Sequence, residues 1–297
     1  MKENWQSLGF SIRSFLKAKG SLPMRAVAAV KTITLSVGLG VTALPSAGMA
    51  AALAPHRAIY DLSLEWASKQ SGIEGIDGRF VYEFTGGLCS GYITNMRMVT
   101  DILKEFETVN SDQSSSSFED LGAGTFSFSS KVFSNADLQS ERKGEAVRQS
   151  DKAIDVTVQD GDGATLPEAE FPTEYMEGII RAAANGKSVY QARTFDGSGN
   201  EIMLAVTMIG HAVDVPKAAD LKTVSAPRER AWPVTTAYYP TGAATSDEMP
   251  SYTMSMLLGE DGISHDLLMD FGDFRISAEM TALDLLQPVA CTAKKDG

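Results

Sequence analysis

The chain has 297 residues and a formal net charge of −12, with 38 acidic against 26 basic residues. This acidic balance repels phosphate backbones and anionic lipid headgroups, so it disfavours nucleic-acid binding and electrostatic docking to membranes. Hydrophobic residues make up 43% of the chain, which excludes disorder along its whole length.

The N-terminal segment predicts export. From Met24 the sequence reads MRAVAAVKTITLSVGLGVTALPSAGMA, in which two basic residues precede an uncharged stretch that ends in small residues. This order is typical of a secretory signal peptide, and we expect it to cover residues 1–50 and to be cleaved after Ala50 or Ala52. A transmembrane anchor is disfavoured, because polar residues, glycines and a proline interrupt the apolar run.

Met24 is a better start than Met1, so residues 1–23 are predicted to precede the true start. No cysteine lies at the expected cleavage site, which argues against a lipid-anchored product. We therefore expect a soluble protein of the bacterial periplasm.

After cleavage about 245 residues would remain, with 20 basic and 37 acidic residues. That length suffices for one large domain or two small ones, and we predict one domain over residues 51–297.

The chain has two cysteines, Cys89 within TGGLCSGY (85–92) and Cys291 near the C-terminus. They could form a disulfide, take part in a metal site, serve as a reactive thiol or have no special role. Exported compartments keep disulfides oxidised, so the sequence favours a Cys89–Cys291 disulfide. A metal site is poorly supported, because neither cysteine has a second cysteine or a histidine within two to five residues.

Most of the remaining chain alternates between apolar and polar residues, which predicts strands with one buried face. The alternating sets are Tyr60, Leu62, Leu64 and Trp66; Phe80, Tyr82 and Phe84; Phe126 and Phe128; Ile154, Val156 and Val158; Tyr252, Met254, Met256 and Leu258; and Phe274, Ile276, Ala278 and Met280. Glycine-rich turn signals separate them, so we expect a long antiparallel meander. Residues 109–120 (VNSDQSSSSFED) and 214–230 are predicted to be polar loops or hairpin ends.

One segment has helical spacing. FPTEYMEGIIRAAANGK places a proline and a threonine before an apolar stripe and ends in Asn185-Gly186, which predicts a helix over about 172–185. We expect this helix to pack across the sheet, the alternative being a groove that binds a partner.

No motif predicts catalysis, a cofactor or a metal. The three histidines, His56, His211 and His265, stand far apart, and the chain lacks a G-x-S-x-G motif. The DGDG stretch at 160–163 is interpreted as a turn, because its sixth and twelfth positions do not fit a calcium loop. Methionines on strand faces (Met96, Met98, Met254 and Met256) suit either a core or a surface that adapts to apolar ligands.

Five pieces of the mature chain, in order, resemble the cell-envelope integrity protein EipB family of periplasmic proteins. They are LAPHRAIYDLSL, GRFVYEFTGGLCSGY, FPTEYMEGIIRAAANGK, WPVTTAYY and GISHDLLMDFGDFRISAEM. The resemblance implies a mainly β fold, in which an antiparallel meander curves into a β-spiral or open barrel with a helix packed on it. It also implies a disulfide between two cysteines placed as Cys89 and Cys291 are.

The same resemblance implies a role in the integrity of the Gram-negative envelope, in functional connection with a periplasmic tetratricopeptide-repeat protein. We therefore expect a non-enzymatic protein that binds a partner protein or an apolar ligand in the concave face of its sheet. The alternatives are a lipid or lipoprotein carrier, by analogy with LolA and LolB, and a hydrolase acting on envelope polymers.

Overall fold

The computed structural model describes residues 53–215, 230–241 and 249–289. The described residues form fifteen strands and one helix: β1 (His56–Ala67), β2 (Ile73–Gly87), β3 (Gly91–Lys104), β4 (Glu107–Asp120), β5 (Thr125–Ser134), β6 (Asp137–Arg148), β7 (Ile154–Val158), β8 (Ala164–Leu166), α1 (Pro172–Ala184), β9 (Val189–Thr194), β10 (Met203–Ile209), β11 (Val213–Asp214), β12 (Arg230–Pro240), β13 (Tyr252–Gly259), β14 (Ser264–Asp270) and β15 (Phe274–Leu285). None of the described residues forms a helix long and apolar enough to cross a membrane. The predicted signal peptide, most of the predicted loop 214–230 and Cys291 lie outside the described residues.

All fifteen strands belong to one antiparallel sheet. Its order is β8-β7-β6-β5-β4-β3-β2-β1-β15-β14-β13-β12-β10-β9, and β11 pairs with β12. Most strands therefore pair with their neighbours in sequence, while β1 joins the two halves of the meander by pairing with β15. The prediction of a mainly β meander is confirmed.

The sheet curves until its two ends come together without closing. Phe126 and Phe128 of β5 share a hydrophobic cluster with Phe195 and Ile202, which flank the loop between β9 and β10. At the same seam the backbone N–H of Glu170 donates to the Arg193 carbonyl over 2.7 Å, and the Phe195 N–H donates to the Glu170 carbonyl over 3.0 Å. This short parallel bridge joins the segment after β8 to the edge strand β9, so the architecture is an open barrel.

Alternation in β1 gives the expected two faces, except at Trp66. Tyr60 and Leu62 are 2% and 3% exposed and lie on the concave face. Trp66 was expected to share that face, but it is 45% exposed, so this prediction was wrong. The reason is a shift of register between Leu64 and Trp66 in the pairing of β1 with β15. A bulge of this kind turns the side chains that follow it towards the opposite face.

The prediction of a polar loop over residues 109–120 was also wrong, because this segment lies in β4. Every residue from Ser111 to Glu119 pairs with β3 on one side and β5 on the other. Serine has little intrinsic preference for strands, yet a strand between two others satisfies all its backbone donors and acceptors. Tertiary pairing therefore overrides local composition here.

The predicted helix is confirmed to within one residue. It begins at Pro172, and Gly186 follows its end with a φ of 70°, the left-handed conformation that glycine adopts without strain. Tyr175 and Ile179 are buried in a cluster that includes Trp232 and Leu258 from the concave face. α1 thus packs across one end of the open barrel, as expected.

Gly178 allows α1 to approach β9 closely. A Cβ atom at this position would overlap the hydroxyl of Tyr190, which donates to Glu170 Oε1 over 2.6 Å. We expect Gly178→Ala to lower the free energy of unfolding by about 1–2 kcal/mol in urea denaturation, although alanine favours a helix by about 1 kcal/mol. Gly75→Ala is the control, since its new methyl group would meet nothing closer than 3.5 Å. An equally stable Gly178→Ala protein would contradict this account.

Candidate functional site

The concave face carries the methionines that the sequence singled out. Met254 and Met256 alternate along β13 with outward-facing residues and share a face with the buried Tyr252 and Leu258. Met98 lies in the same way on β3. All three are half-buried although they point inwards, and they pack against the edge of a buried cluster. These three side chains are therefore only partly enclosed by the protein, whereas a closed core would enclose them fully.

Aromatic side chains continue this surface. Phe80 stacks on Tyr60 with ring centroids 5.5 Å apart, and Tyr82 lies 5.5 Å from the imidazole of His56. Phe80 and Tyr82 are half-buried, whereas Phe84 in the same strand is 4% exposed because α1 covers that end. Flexible thioethers and aromatic rings that stay partly exposed form a surface that can adapt to apolar groups.

A charged pocket of about 190 Å³ lies where α1 begins. Its charged lining is Asp120, Arg148, Glu170, Glu174, Glu177 and Arg181. Arg148 Nη2 pairs with Glu174 Oε2 over 2.5 Å and also donates to the Ala169 carbonyl over 3.0 Å. Within the described residues, Arg148 Nε and Glu170 Oε2 are buried without a hydrogen-bond partner. The Arg148–Glu174 ion pair at this pocket therefore connects the first turn of α1 to β6.

Glu119 of β4 caps the N-terminus of α1. Its carboxylate accepts the backbone N–H of Thr173 over 2.8 Å and that of Glu174 over 3.1 Å. These are donors that the first turn of a helix leaves unpaired. Glu119 is 2% exposed, and burial raises the pKa of its carboxyl to about 7, although both hydrogen bonds oppose this rise. The anchor of α1 consequently changes charge near neutral pH.

The three histidines lie in separate parts of the structure. His56 is 2% exposed, and its Nδ1 lies 2.7 Å from the Ala54 carbonyl oxygen. Burial lowers the pKa of His56 and also that of His265, while His211 is exposed. In the described parts of the chain, no hydrogen bond joins a histidine to a serine or a carboxylate, and no group of three or more potential metal ligands occurs.

Cys89 lies in the exposed turn between β2 and β3. Gly86 and Gly91, on either side of it, have φ values of 103° and 76°, which explains why the turn is rich in glycine. The Val289 carbonyl oxygen lies 3.6 Å from the point that a Cβ atom on Gly87 would occupy, so the chain passes this turn shortly before residue 291. Cys291 is outside the described residues, and the disulfide stays a prediction that this proximity supports.

Sequence reasoning missed Glu119 and the interior role of β4. The partners of Glu119 are more than 50 residues away along the chain. No local pattern could have indicated them. The methionine pattern was the signal that did point to the concave face.

The geometry defines a class of protein, an open and barrel-like antiparallel sheet with a helix across one end of its concave face. A solved structure of this class, described as a beta-barrel-like protein of domain of unknown function DUF1849 from Brucella abortus, is similar, with a TM-score of 0.74 and 34% identity over 79% of this chain and 99% of that one. The model of the EipB-like family matches residues 47–287. The cell envelope integrity protein EipB of Brucella abortus (strain 2308) is 35% identical over 266 residues, which cover 88% of this chain and 95% of that protein. The chain belongs to the EipB-like family.

Proposed function

We propose that this protein supports the integrity of the cell envelope from the periplasm, and that it does so by holding an apolar ligand in its concave face, without catalysing a reaction. The name of the Brucella abortus relative supports the first part of this proposal. The predicted signal peptide supports the compartment. The second part depends on the surface described above.

One observation carries the ligand proposal: the half-buried state of inward-facing Met98, Met254 and Met256. In a filled core such side chains would be enclosed, because interiors are packed like organic crystals. A concave apolar surface with accessible space is the usual setting for a small-molecule site. The outer face differs in character, since it has cross-strand ion pairs such as Arg97–Asp112.

Filling the concave face should abolish binding. We expect Met254→Trp to reduce the affinity for a neutral apolar probe, N-phenyl-1-naphthylamine, at least tenfold. The larger ring would displace the probe from a volume of about two methylene groups, and burial of two methylene groups contributes about the free energy of a tenfold change in affinity. Probe fluorescence in a titration measures this. Thr253→Trp is the matched control, since Thr253 is the neighbouring outward position on β13. Equal probe binding by Met254→Trp and wild type would refute the proposed site.

A carrier and a scaffold can be distinguished by what the protein contains in the cell. Native mass spectrometry of protein isolated from the periplasm should detect bound acyl chains if the protein is a carrier similar to LolA and LolB. A mass equal to that of the protein alone would favour a protein that acts through a partner.

We propose a periplasmic tetratricopeptide-repeat protein as that partner, because the family resemblance implies a functional connection with one. Pull-down experiments with oxidised and with reduced protein test this proposal.

A further inference from the structure

The strand β4 forms a polar wall inside the barrel. Its inward positions are, in order, Ser111, Gln113, Ser115, Ser117 and Glu119. Ser111 and Gln113 are 7% and 8% exposed, which places this parity on the concave face, and Ser115 and Ser117 are half-buried on the same face. Polar side chains along the interior of a barrel are costly unless they have hydrogen-bond partners.

The strands β3 and β2, which follow β4 in the sheet, carry apolar side chains on the concave face. We call this surface the apolar wall. Ser115 is opposite Met96 of β3, and Met96 is opposite Tyr82 of β2. The concave face therefore changes from apolar to hydroxyl-lined between β3 and β4. Ser115, Met96 and Tyr82 are all half-buried, so both kinds of surface are partly exposed.

In the described part of the chain, the hydroxyls of the half-buried Ser115 and Ser130 have no hydrogen-bond partner in the protein. Gln113 Nε2 donates to Ser111 Oγ over 3.2 Å, so this pair satisfies part of its own hydrogen bonding. Ser115 and its cross-strand neighbour Ser130 of β5 make no side-chain hydrogen bond within the described residues. Two adjacent hydroxyls are thus directed at whatever occupies the concave face.

The charges around this pair select against an anionic group. Between Ser111 and Glu119, β4 has no basic residue, and Glu119 itself is acidic. Arg142 of β6 is opposite Ser130, but its guanidinium donates to the carbonyls of Gly197 and Gly199 over 2.8 and 3.1 Å. Neither β4 between Ser111 and Glu119 nor Arg142 therefore offers an uncommitted cation to a phosphate or carboxylate at the Ser115–Ser130 pair.

We infer that the ligand is an amphiphile with a neutral head group that bears hydroxyls. Its head group binds at Ser115 and Ser130, and its apolar chain lies along the apolar wall. This inference rests on the proposed function and names the chemical class of its ligand. Hydroxyls of the head group would donate hydrogen bonds to both serines and accept hydrogen bonds from them. The apolar chain would be removed from water and would pack against the thioethers and rings of β2, β3 and β13.

The test compares three ligands of equal chain length in displacing N-phenyl-1-naphthylamine: 1-monolauroylglycerol, methyl laurate and laurate. We expect wild type to prefer 1-monolauroylglycerol. The double variant Ser115→Val/Ser130→Val should lose about tenfold in affinity for it and keep its affinity for methyl laurate, since two hydrogen bonds are removed. Valine suits a strand, and unchanged circular dichroism verifies folding.

The chain offers a matched control one position along the same two strands. Ser116 and Ser129 are also cross-strand partners, but they face outwards. Ser116→Val/Ser129→Val should therefore bind all three ligands as wild type does. Loss of preference in this control, no loss in the inner variant, or a preference for laurate would overturn the inference while leaving an apolar site in place. Failure of all three ligands to displace the probe would overturn both the inference and the proposed function.

Discussion

Replacing Cys89 by serine should lower the free energy of unfolding by up to about 5 kcal/mol in oxidising buffer. The predicted disulfide closes a loop of about 200 residues, and the chain-entropy model assigns a loop of that length about 5 kcal/mol. Native strain and residual structure in the unfolded chain reduce this figure in practice. Urea denaturation of wild type and variant measures the difference.

The controls for this prediction use the second cysteine and the redox state. Cys291→Ser and the double variant should unfold at the same urea concentration as Cys89→Ser. Wild type in reducing buffer should match all three, because no disulfide is then present. Identical unfolding curves for wild type and Cys89→Ser in oxidising buffer would show that the bond does not form.

The second large effect concerns pH and Glu119. The carboxyl has a pKa of about 7 in the folded state against an ordinary value of 4.5, so the folded state binds this proton more tightly than the unfolded state. The stability that results is fully present below about pH 4.5 and is lost as pH rises towards 7. The shift corresponds to roughly 3 kcal/mol.

Glu119→Gln removes this titration and keeps the shape of the side chain. We expect wild type to lose about 3 kcal/mol relative to the variant between pH 4 and pH 8, measured by urea denaturation at several pH values. The amide repels one of the two N–H groups that the carboxylate accepts, but this cost does not vary with pH. Glu107→Gln, at the exposed other end of β4, should leave the wild-type profile unchanged. Parallel profiles for Glu119→Gln and wild type would contradict the assignment.

The elements that the sequence predicted are those whose signal is local. Alternation located β13, because Tyr252 and Leu258 are buried at the same parity as its methionines. The helix was predicted because its proline start, apolar stripe and glycine stop lie within seventeen consecutive residues. Both depend on one face being buried, which a period of two or of 3.6 encodes directly.

The features that the sequence could not predict depend on distant partners. β4 has a serine run that reads as a loop, and it is a strand because β3 and β5 pair with it on both sides. The bulge that exposes Trp66 arises from its pairing with β15, which is about 200 residues away. The helix cap at Glu119 likewise needs α1 to pack against the sheet before donor and acceptor meet. In each case the information lies in the fold and not in the segment.

The pairing of the first strand with the last governs how the chain must fold. Hairpins between successive strands form quickly, because few residues separate their partners. β1 and β15 are the exception, since the whole meander lies between them, so their ladder forms late. Until it does, β1 presents an open edge to any other extended chain, and such edges promote aggregation. That edge therefore stays open to such pairing until the final strand of the chain has been made.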